Sequence, residues 1–251
     1  MPETDDAALA SRVALERLLV DMPTIAALLP AGYLDAAQRF VALLLSANQR
    51  LNLTRVTDPA EVARLHLLDA LAALPILDAL GDVERIDLGS GGGVPAIPLA
   101  MARPDERWTL VDSVNKKAVA LRDIVSQLGL GGVTVLAERA ETLGRDPMHR
   151  ERYQVVTARA CAPLPVLVEL ALPLLARGGS LLAWKGPLAE ADEELQRGAR
   201  AARQLGAGMP QIRAAGPAAL GGHTFVQLEK QRPTPSKYPR RAGEPARRPL
   251  G

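Results

Sequence analysis

Two periodicities of apolar residues divide this chain. Leu and Ala dominate residues 7–20, and within 33–47 the residues Leu34, Ala37, Phe40, Val41, Leu44 and Leu45 recur at helical spacing. The polar run 48–55 predicts a loop. Asp58-Pro59 then opens one helix or a pair that extends to about Leu80, with proline at the first helical position and Glu61 in the first turn. From residue 86, short apolar runs of strand length take over: 86–88, 108–112, 133–136, 153–157 and 180–184. Helical stretches separate them, one opening on Pro95 and others at 115–128, 165–176 and 188–205. Two last strands, 211–213 and 223–229, flank a Gly/Ala/Pro-rich connection that suits a hairpin. Alternating strands and helices imply an α/β fold, a doubly wound, mostly parallel sheet of seven strands, and the final hairpin implies an antiparallel edge strand. The chain thus divides into an N-terminal helical cap (1–80), a sheet domain (81–230) and a tail (231–251). Prolines 233, 235, 239, 245 and 249 exclude a helix or a central strand from the tail and predict an extended or disordered segment.

One stretch of this pattern carries chemistry. Asp87-Leu-Gly-Ser-Gly-Gly-Gly-Val-Pro95 is a strand end, a glycine turn and a helix start. Glycine lets backbone approach a ligand where a Cβ would clash. A helix N-terminus offers free N–H groups and partial positive charge to a carboxylate or phosphate. The next strand ends on Asp112, 23 residues beyond Gly89, close to the spacing of an acid that holds a ribose hydroxyl. Asp112 equally suits capping of the helix that follows. Nicotinamide-dependent oxidoreductases and S-adenosylmethionine-dependent methyltransferases both use such a turn. The glycines here are more closely spaced than G-x-G-x-x-G. None of Tyr33, Tyr153 and Tyr238 has a lysine four residues on, the partner a dehydrogenase tyrosine would need. The terminal hairpin again fits the methyltransferase plan.

Composition narrows the setting. The single cysteine, Cys161, excludes an internal disulfide and fits a reducing compartment. There is no clustered Cys/His pattern for a metal, and no apolar run approaches the ~18 residues of a membrane span. The start Met1-Pro-Glu-Thr-Asp-Asp6 is acidic, unlike a signal peptide, so a cytoplasmic protein is expected. The net charge of +2 is unevenly placed: −4 over residues 1–80, zero over 81–229 and +6 over 230–251. A basic tail of this kind is either a solvated extension or a phosphate-binding arm.

Seven fragments occur in order from about residue 45 onward: Asn52-Leu-Thr54, Asp87 to Leu99, Val111-Asp112-Ser113 with Lys116-Lys117, Arg139-Ala-Glu141, Ala158-Arg-Ala160, Trp184-Lys-Gly186 and Lys237-Tyr-Pro-Arg240. In this combination the chain resembles the small-subunit ribosomal RNA methyltransferase G family, also called glucose-inhibited division protein B. Ala96 departs from the glycine usual there, adding one methyl group to the loop. The resemblance implies a Rossmann-like methyltransferase sheet. It also implies methyl transfer from S-adenosylmethionine to N7 of a guanine in 16S ribosomal RNA, with that RNA or the small ribosomal subunit as partner. It places the cofactor at Gly89, Gly91 and Val94 of the glycine loop, at Asp112 and Ser113 beside the ribose, at Ala140 and Glu141 beside the adenine, and at Arg159 after the fourth strand.

The chemistry accounts for what is missing. Guanine N7 has an exposed lone pair and no proton, so no general base is required, and alignment supplies the acceleration. A cation holding O6 while leaving N7 free would help, and Arg159 or Lys185 is expected to supply it. The competing reading for Arg159 is an ion pair with Glu141 or Asp112, and for Lys185 an exposed strand end. Lys237, Arg240 and Arg241 are expected to contact RNA. Cys161 reads as a small buried residue rather than a nucleophile. The Asn/Asp-Pro-Pro-aromatic motif of adenine N6 enzymes is absent. His66, among leucines, reads as a helix-packing residue, and His149 and His223 as loop and strand-start residues. Asn52 and Thr54 either contact substrate or cap the helix at 58. Two other functions share the fold: a small-molecule methyltransferase, which has no use for the basic tail, and a nucleotide-binding oxidoreductase-like module.

Overall fold

The computed structural model describes residues 2–81, 83–189 and 191–251; Met1, Asp82 and Glu190 lie outside the described residues. The helical cap begins with α1 (Pro2–Val20), α2 (Pro23–Ala26) and α3 (Tyr33–Leu51). Ala37, Phe40, Val41, Leu44 and Leu45 of α3 are all buried, as the spacing predicts. This helix runs past the expected loop start and stops at Asn52, which takes the left-handed conformation (φ 49°). The Asn48 carboxamide Oδ1 accepts from Thr54 N at 2.9 Å, so the polar residues close the helix rather than break it early. Next comes α4 (Pro59–Glu61), capped by Asp58 Oδ1, which accepts from Glu61 N at 3.0 Å. It continues as a π-helical stretch, Val62–Leu68, and returns to α geometry in α5 (Asp69–Leu71), followed by α6 (Leu74–Asp78).

The sheet domain follows as β1 (Arg85–Leu88), α7 (Ala96–Ala102), β2 (Trp108–Val111), α8 (Asn115–Leu128), β3 (Val133–Leu136), α9 (Ala140–Leu143), β4 (Tyr153–Arg159), α10 (Leu164–Ala171), β5 (Leu175–Lys185), α11 (Glu193–Leu205), β6 (Gln211–Ala214) and β7 (Thr224–Glu229). The seven strands lie in the order β3-β2-β1-β4-β5-β7-β6. β1 to β5 are parallel, and β7 runs antiparallel between β5 and the outermost β6. Helices cover both faces, which is why every residue of β1 is buried. The cap packs on α7 and α8, and its leucines share one apolar core with those helices and with β2.

The strand order reverses between β1 and β4, and a crevice opens there at the carboxyl ends of the strands. Register sets what meets in it. Leu88 pairs with Val111 on one side and with Ala158 on the other, and Arg159 pairs with Trp184. The glycine turn, Asp112, the loop after β4 and Lys185 therefore leave the sheet at nearly one level.

Boundaries differ from expectation where a polar group intervenes. α11 starts at Glu193, not 188, because Asp192 Oδ1 accepts from Glu194 N (2.8 Å) and Leu195 N (3.3 Å). α10 ends at Ala171, and β5 begins at Leu175 and runs through Arg177-Gly-Gly179.

The tail departs most from expectation. It is packed along α9, α10 and α11, and residues 244–247 form a helical turn, α12 (Glu244–Arg247). Pro245 sits in its first turn, where a missing N–H costs nothing, so proline does not exclude a helix here. Lys230, fully buried, donates to Glu151 Oε1 (2.7 Å), Leu172 O (2.8 Å) and Leu175 O (2.7 Å). Arg150 donates to Gly144 O, Thr234 O and Tyr238 O. Arg240 grips Glu169, itself 0% exposed, through Nε, Nη2 and its backbone N. Replacing Lys230 with Met would remove the ammonium from Glu151 and two carbonyls, leaving Glu151 without its counter-charge, at a cost of about 3 kcal/mol. A fall of roughly 6–12 °C in the unfolding midpoint is expected for a chain of this size, and calorimetry of K230M checks it; an unchanged midpoint would show that the buried ammonium does not anchor the tail.

Candidate active site

The turn after β1 is bound to β2 by its own polar groups. Asp112 Oδ2 accepts from Gly91 N at 2.9 Å and Oδ1 from Val114 N at 2.8 Å, so one carboxylate braces the glycine turn and the entry to α8. Ser90 Oγ accepts from Val111 N and donates to Asp87 O. Gly89 has φ +70°, and a Cβ there would lie 2.8 Å from Cys161 Sγ. Only glycine lets the turn close against the loop after β4.

Two compartments open at this edge. The first, about 240 Å³, is a crevice lined by Gly89, Ser113, Ala140 and Glu141 together with Cys161 and Ala162. The second, about 420 Å³, is lined by Val56, Leu65, His66, Asp69, Arg159, Trp184, Lys185 and His223, and again by Cys161 and Ala162. They meet at those two shared residues. Ala160 supports the sharp turn before them with φ +51°.

Of the residues expected at a cofactor, Gly89, Ser113, Ala140 and Glu141 line the first compartment. Asp112 and Gly91 brace it, and Val94 is buried beneath the turn. Arg159 lies in the second compartment. Its ion pair is with neither Glu141 nor Asp112 but with Asp69, Nη1 to Oδ2 at 3.4 Å. Nη1 also donates to Leu65 O, and Nη2 to His66 Nδ1 at 3.2 Å. The π-helical register sends Asp69 N to Arg64 O instead of Leu65 O, and Leu65 O receives the guanidinium. Because Arg159 can only donate, His66 Nδ1 accepts, and the proton sits on Nε2, which donates to Thr54 Oγ1 at 2.7 Å. Burial, with Arg159 nearby, pushes the His66 pKa down to about 4, so the ring is neutral at pH 7.

Asp69 is the centre of this cluster. Only 2% exposed, it accepts from Arg159, from His223 Nδ1 at 3.1 Å, and through its backbone O from Trp184 Nε1 at 2.9 Å. Lys185, at the rim, is not a free strand end: its Nζ donates to Glu194 Oε1 at 2.5 Å. Sequence reasoning missed Asp69 and His223 and treated His66 as packing. The available signal was an acid, Asp69, set within the otherwise apolar Leu65-His-Leu-Leu-Asp-Ala-Leu71.

Two further groups limit the chemistry. Cys161 is exposed as a residue, contrary to the buried role expected. Its sulfur nevertheless lies in the recess beside Gly89, and burial there with the nearby acids Asp87, Asp112 and Glu141 raises the thiol to about 11. The thiol stays protonated near neutral pH and is no nucleophile. Asp87 is fully buried. Thr157 Oγ1 donates to its Oδ1 at 2.7 Å, and Oδ2 has no hydrogen-bond partner among the described residues. A buried carboxylate oxygen without a donor fits a cationic ligand, and S-adenosylmethionine carries an ammonium and a sulfonium. Among the described residues there is no group of three His, Cys, Asp or Glu placed to hold a metal, and no helix long and apolar enough to cross a membrane.

Comparison with known proteins decides the family. The family described as rRNA small subunit methyltransferase G matches residues 33–214. The chain belongs to this family. Curated relatives named ribosomal RNA small subunit methyltransferase G include that of Deinococcus radiodurans, 46% identical over 84% of this chain and 83% of its own length. That of Chloroflexus aggregans is 43% identical over 94% of this chain and 98% of its own. Among solved structures, the [4+2]-cyclase SpnF superposes with a TM-score of 0.52 at 16% identity, covering 81% of this chain and 97% of that one. The S-adenosylmethionine-dependent methyltransferase SibL gives 0.52 at 17%, covering 79% and 74%. At such identities these two show the fold. The family match spans the chain from α3 to β6, so Asp69, His66, Arg159 and Trp184 lie inside it, and His223, β7 and the tail outside it.

Burial raises the Asp87 pKa from 3.8 to about 6. Relative to the unfolded chain, the folded state favours the protonated acid, so the penalty for ionising it is absent below pH 3.8 and complete above about 6. D87N removes the penalty only in the upper range. Between pH 4 and pH 7.5, the stability of D87N should therefore gain on the order of 2 kcal/mol on the unliganded parent. Urea unfolding at both pH values checks this, and a pH-independent difference would show that Asp87 titrates normally.

Proposed function

We propose that this protein transfers the methyl group of S-adenosylmethionine to N7 of a guanine in 16S ribosomal RNA, in the cytoplasm and on the small ribosomal subunit or its RNA. The observation that carries the reading is the junction of two compartments at Cys161 and Ala162. One is an acid-lined crevice at a glycine turn, suited to a cationic nucleotide-like donor. The other is a cation-bearing recess within the size range of small-ligand sites, suited to one base. Membership of the ribosomal RNA methyltransferase family supports the class of substrate.

Bound S-adenosylmethionine supplies an electrophilic methyl group on a positively charged sulfur. Gly89, Ser113, Ala140 and Glu141 would hold the nucleoside end, and Asp87 would face positive charge. The protein's remaining task is to present N7 and exclude water. Arg159 is fixed on three sides by Asp69, Leu65 O and His66, so it meets a ligand with little freedom left to lose. A guanidinium held this way donates to O6, an acceptor, and leaves N7 open. Neutral His66 and protonated Cys161 take no proton, in keeping with an acceptor that has none to give. Trp184, braced by Asp69 O and edge-on to Phe225, gives the recess an apolar wall. His223 holds Asp69 Oδ1 while Arg159 holds Oδ2, and it completes the polar rim.

Tail cations divide between two duties. Arg240 is engaged with Glu169 and serves to fasten the tail. Lys237 and Arg241 are exposed, Lys237 over the Tyr238 ring at 5.2 Å, and both are available to RNA phosphates.

Removing the Arg159 fork is expected to lower methylation at saturating cofactor about 10- to 100-fold. Asp69→Asn, which loosens the same fork, should give a smaller loss in the same direction, and Lys185→Ala a loss in substrate affinity at the rim. Equal turnover in all three would remove this recess from the reaction, and loss of one N7-methylguanine from the 16S RNA of cells lacking the protein is the expected map. For the tail, K237A/R241A should reduce the slope of log affinity against log salt by about 2. A slope equal to that of the parent would leave the tail without a role in RNA binding.

A further inference from the structure

The far end of the tail returns to the crevice. Gly243, Pro245 and Ala246 line the same compartment as Gly89, Ser113, Ala140 and Glu141. We infer that residues 243–246 form the outer wall of the site for the adenosine moiety of the cofactor, and that they hold Glu141 in its working orientation. The inference rests on the methyl-donor reading of the crevice.

Three observations carry it. Gly243 N donates to Glu141 Oε1 at 2.8 Å, and Gly243 takes φ +79°, which aims that N–H while letting the chain turn into α12. Glu141 is 8% exposed, and among the described residues none donates to its Oε2. The strap therefore fixes one oxygen of a shielded carboxylate and leaves the other as an acceptor within the crevice. Second, the walls beside it are apolar. Val166 and Leu170 of α10 face the compartment with Pro245 and Ala246, and proline adds no N–H that would need a partner. Apolar walls beside a fixed carboxylate acceptor suit a heterocyclic base carrying donor groups. Third, the strap is built into the structure. Tyr238 is buried, with its hydroxyl receiving Gln204 Nε2 at 2.5 Å. Arg240 is clamped on buried Glu169, and its Nη2 also donates to Arg248 O at 2.7 Å, beyond α12. A wall held at both ends is in place before the ligand arrives, so ordering it adds no cost on binding.

The experiment is titration calorimetry with S-adenosylmethionine on the full chain and three variants. Deleting residues 243–251 keeps the Tyr238 and Arg240 anchors and removes the wall; affinity should fall about tenfold or more. Ala246→Trp, at an exposed position, leaves the anchors and fold untouched and fills the compartment; it should weaken binding at least as much. R247A/R248A removes tail charge without touching the wall and should bind within twofold of the parent. Deletion and A246W variants that bind as the full chain does would overturn the inference while leaving the methyl-donor reading intact. Failure of the full chain to bind at all would overturn both. A deletion variant whose affinity is matched by R247A/R248A would mean that charge, not the wall, is responsible, and would also overturn it.

Discussion

Parallel register at one sheet edge is the constraint on which the site depends. Four strands, β2, β1, β4 and β5, end within about one residue of each other because Leu88 is paired with both Val111 and Ala158, and Arg159 with Trp184. A slip of one residue in any pair would turn its side chains to the other face. Gly89 would then lose its recess against Cys161, and Arg159 would leave Asp69. The hydrophobic runs enforce this register from below, since each strand is covered on both faces and has little freedom to slide. The same edge carries both compartments because the order reverses there. One is assembled mainly from the loops after β1, β2 and β3 with α10 and the tail, the other from those after β4 and β5, from His223 and from the cap; the loop after β4 lines both.

Charge burial organises what stands on that edge. Asp69, Glu169 and Glu141 are buried acids, and each is met by donors from a distant part of the chain: Asp69 by Arg159 and His223, Glu169 by Arg240, Glu141 by Gly243 N. Leaving any of them unpaired would be expensive, so the cap, the sheet and the tail are held in one arrangement by electrostatics as well as by apolar contact. Asp87 is the exception. Its unpartnered oxygen costs stability in the folded protein.

How much of this was legible in the sequence depended on range. The glycine turn, Asp112 at the end of the second strand and the alternation of strands and helices rest on local patterns, and the apolar runs are enough to place them; the spatial order of the strands is set by packing. The tail was not legible, because its order comes from partners that no local pattern reveals: Glu169 lies 71 residues before Arg240, and Glu151 lies 79 before Lys230. Proline content suggested disorder, whereas buried pairs decide the matter. Asp69 was hidden differently. Helical periodicity assigns a residue to a face, but the π-helical stretch before it shifts that face, and the acid turns inward toward strands that come 90 residues later.

The cluster around Asp69 also explains why His66, although it lines the recess, is no general base. A base must be able to hold a proton at working pH and be free to move it. His66 satisfies neither requirement: its Nδ1 lone pair is taken by Arg159, its Nε2 proton by Thr54, and burial holds it neutral. The imidazole here serves as a spacer with a defined donor and acceptor, orienting a permanent cation. Such a construction suits a reaction whose nucleophile has no proton to lose, since the barrier then depends on alignment, and alignment depends on how few ways Arg159 can point. The conformational freedom of the guanidinium is removed by the cap, which is why the helices before the sheet belong to the site and not merely to its support.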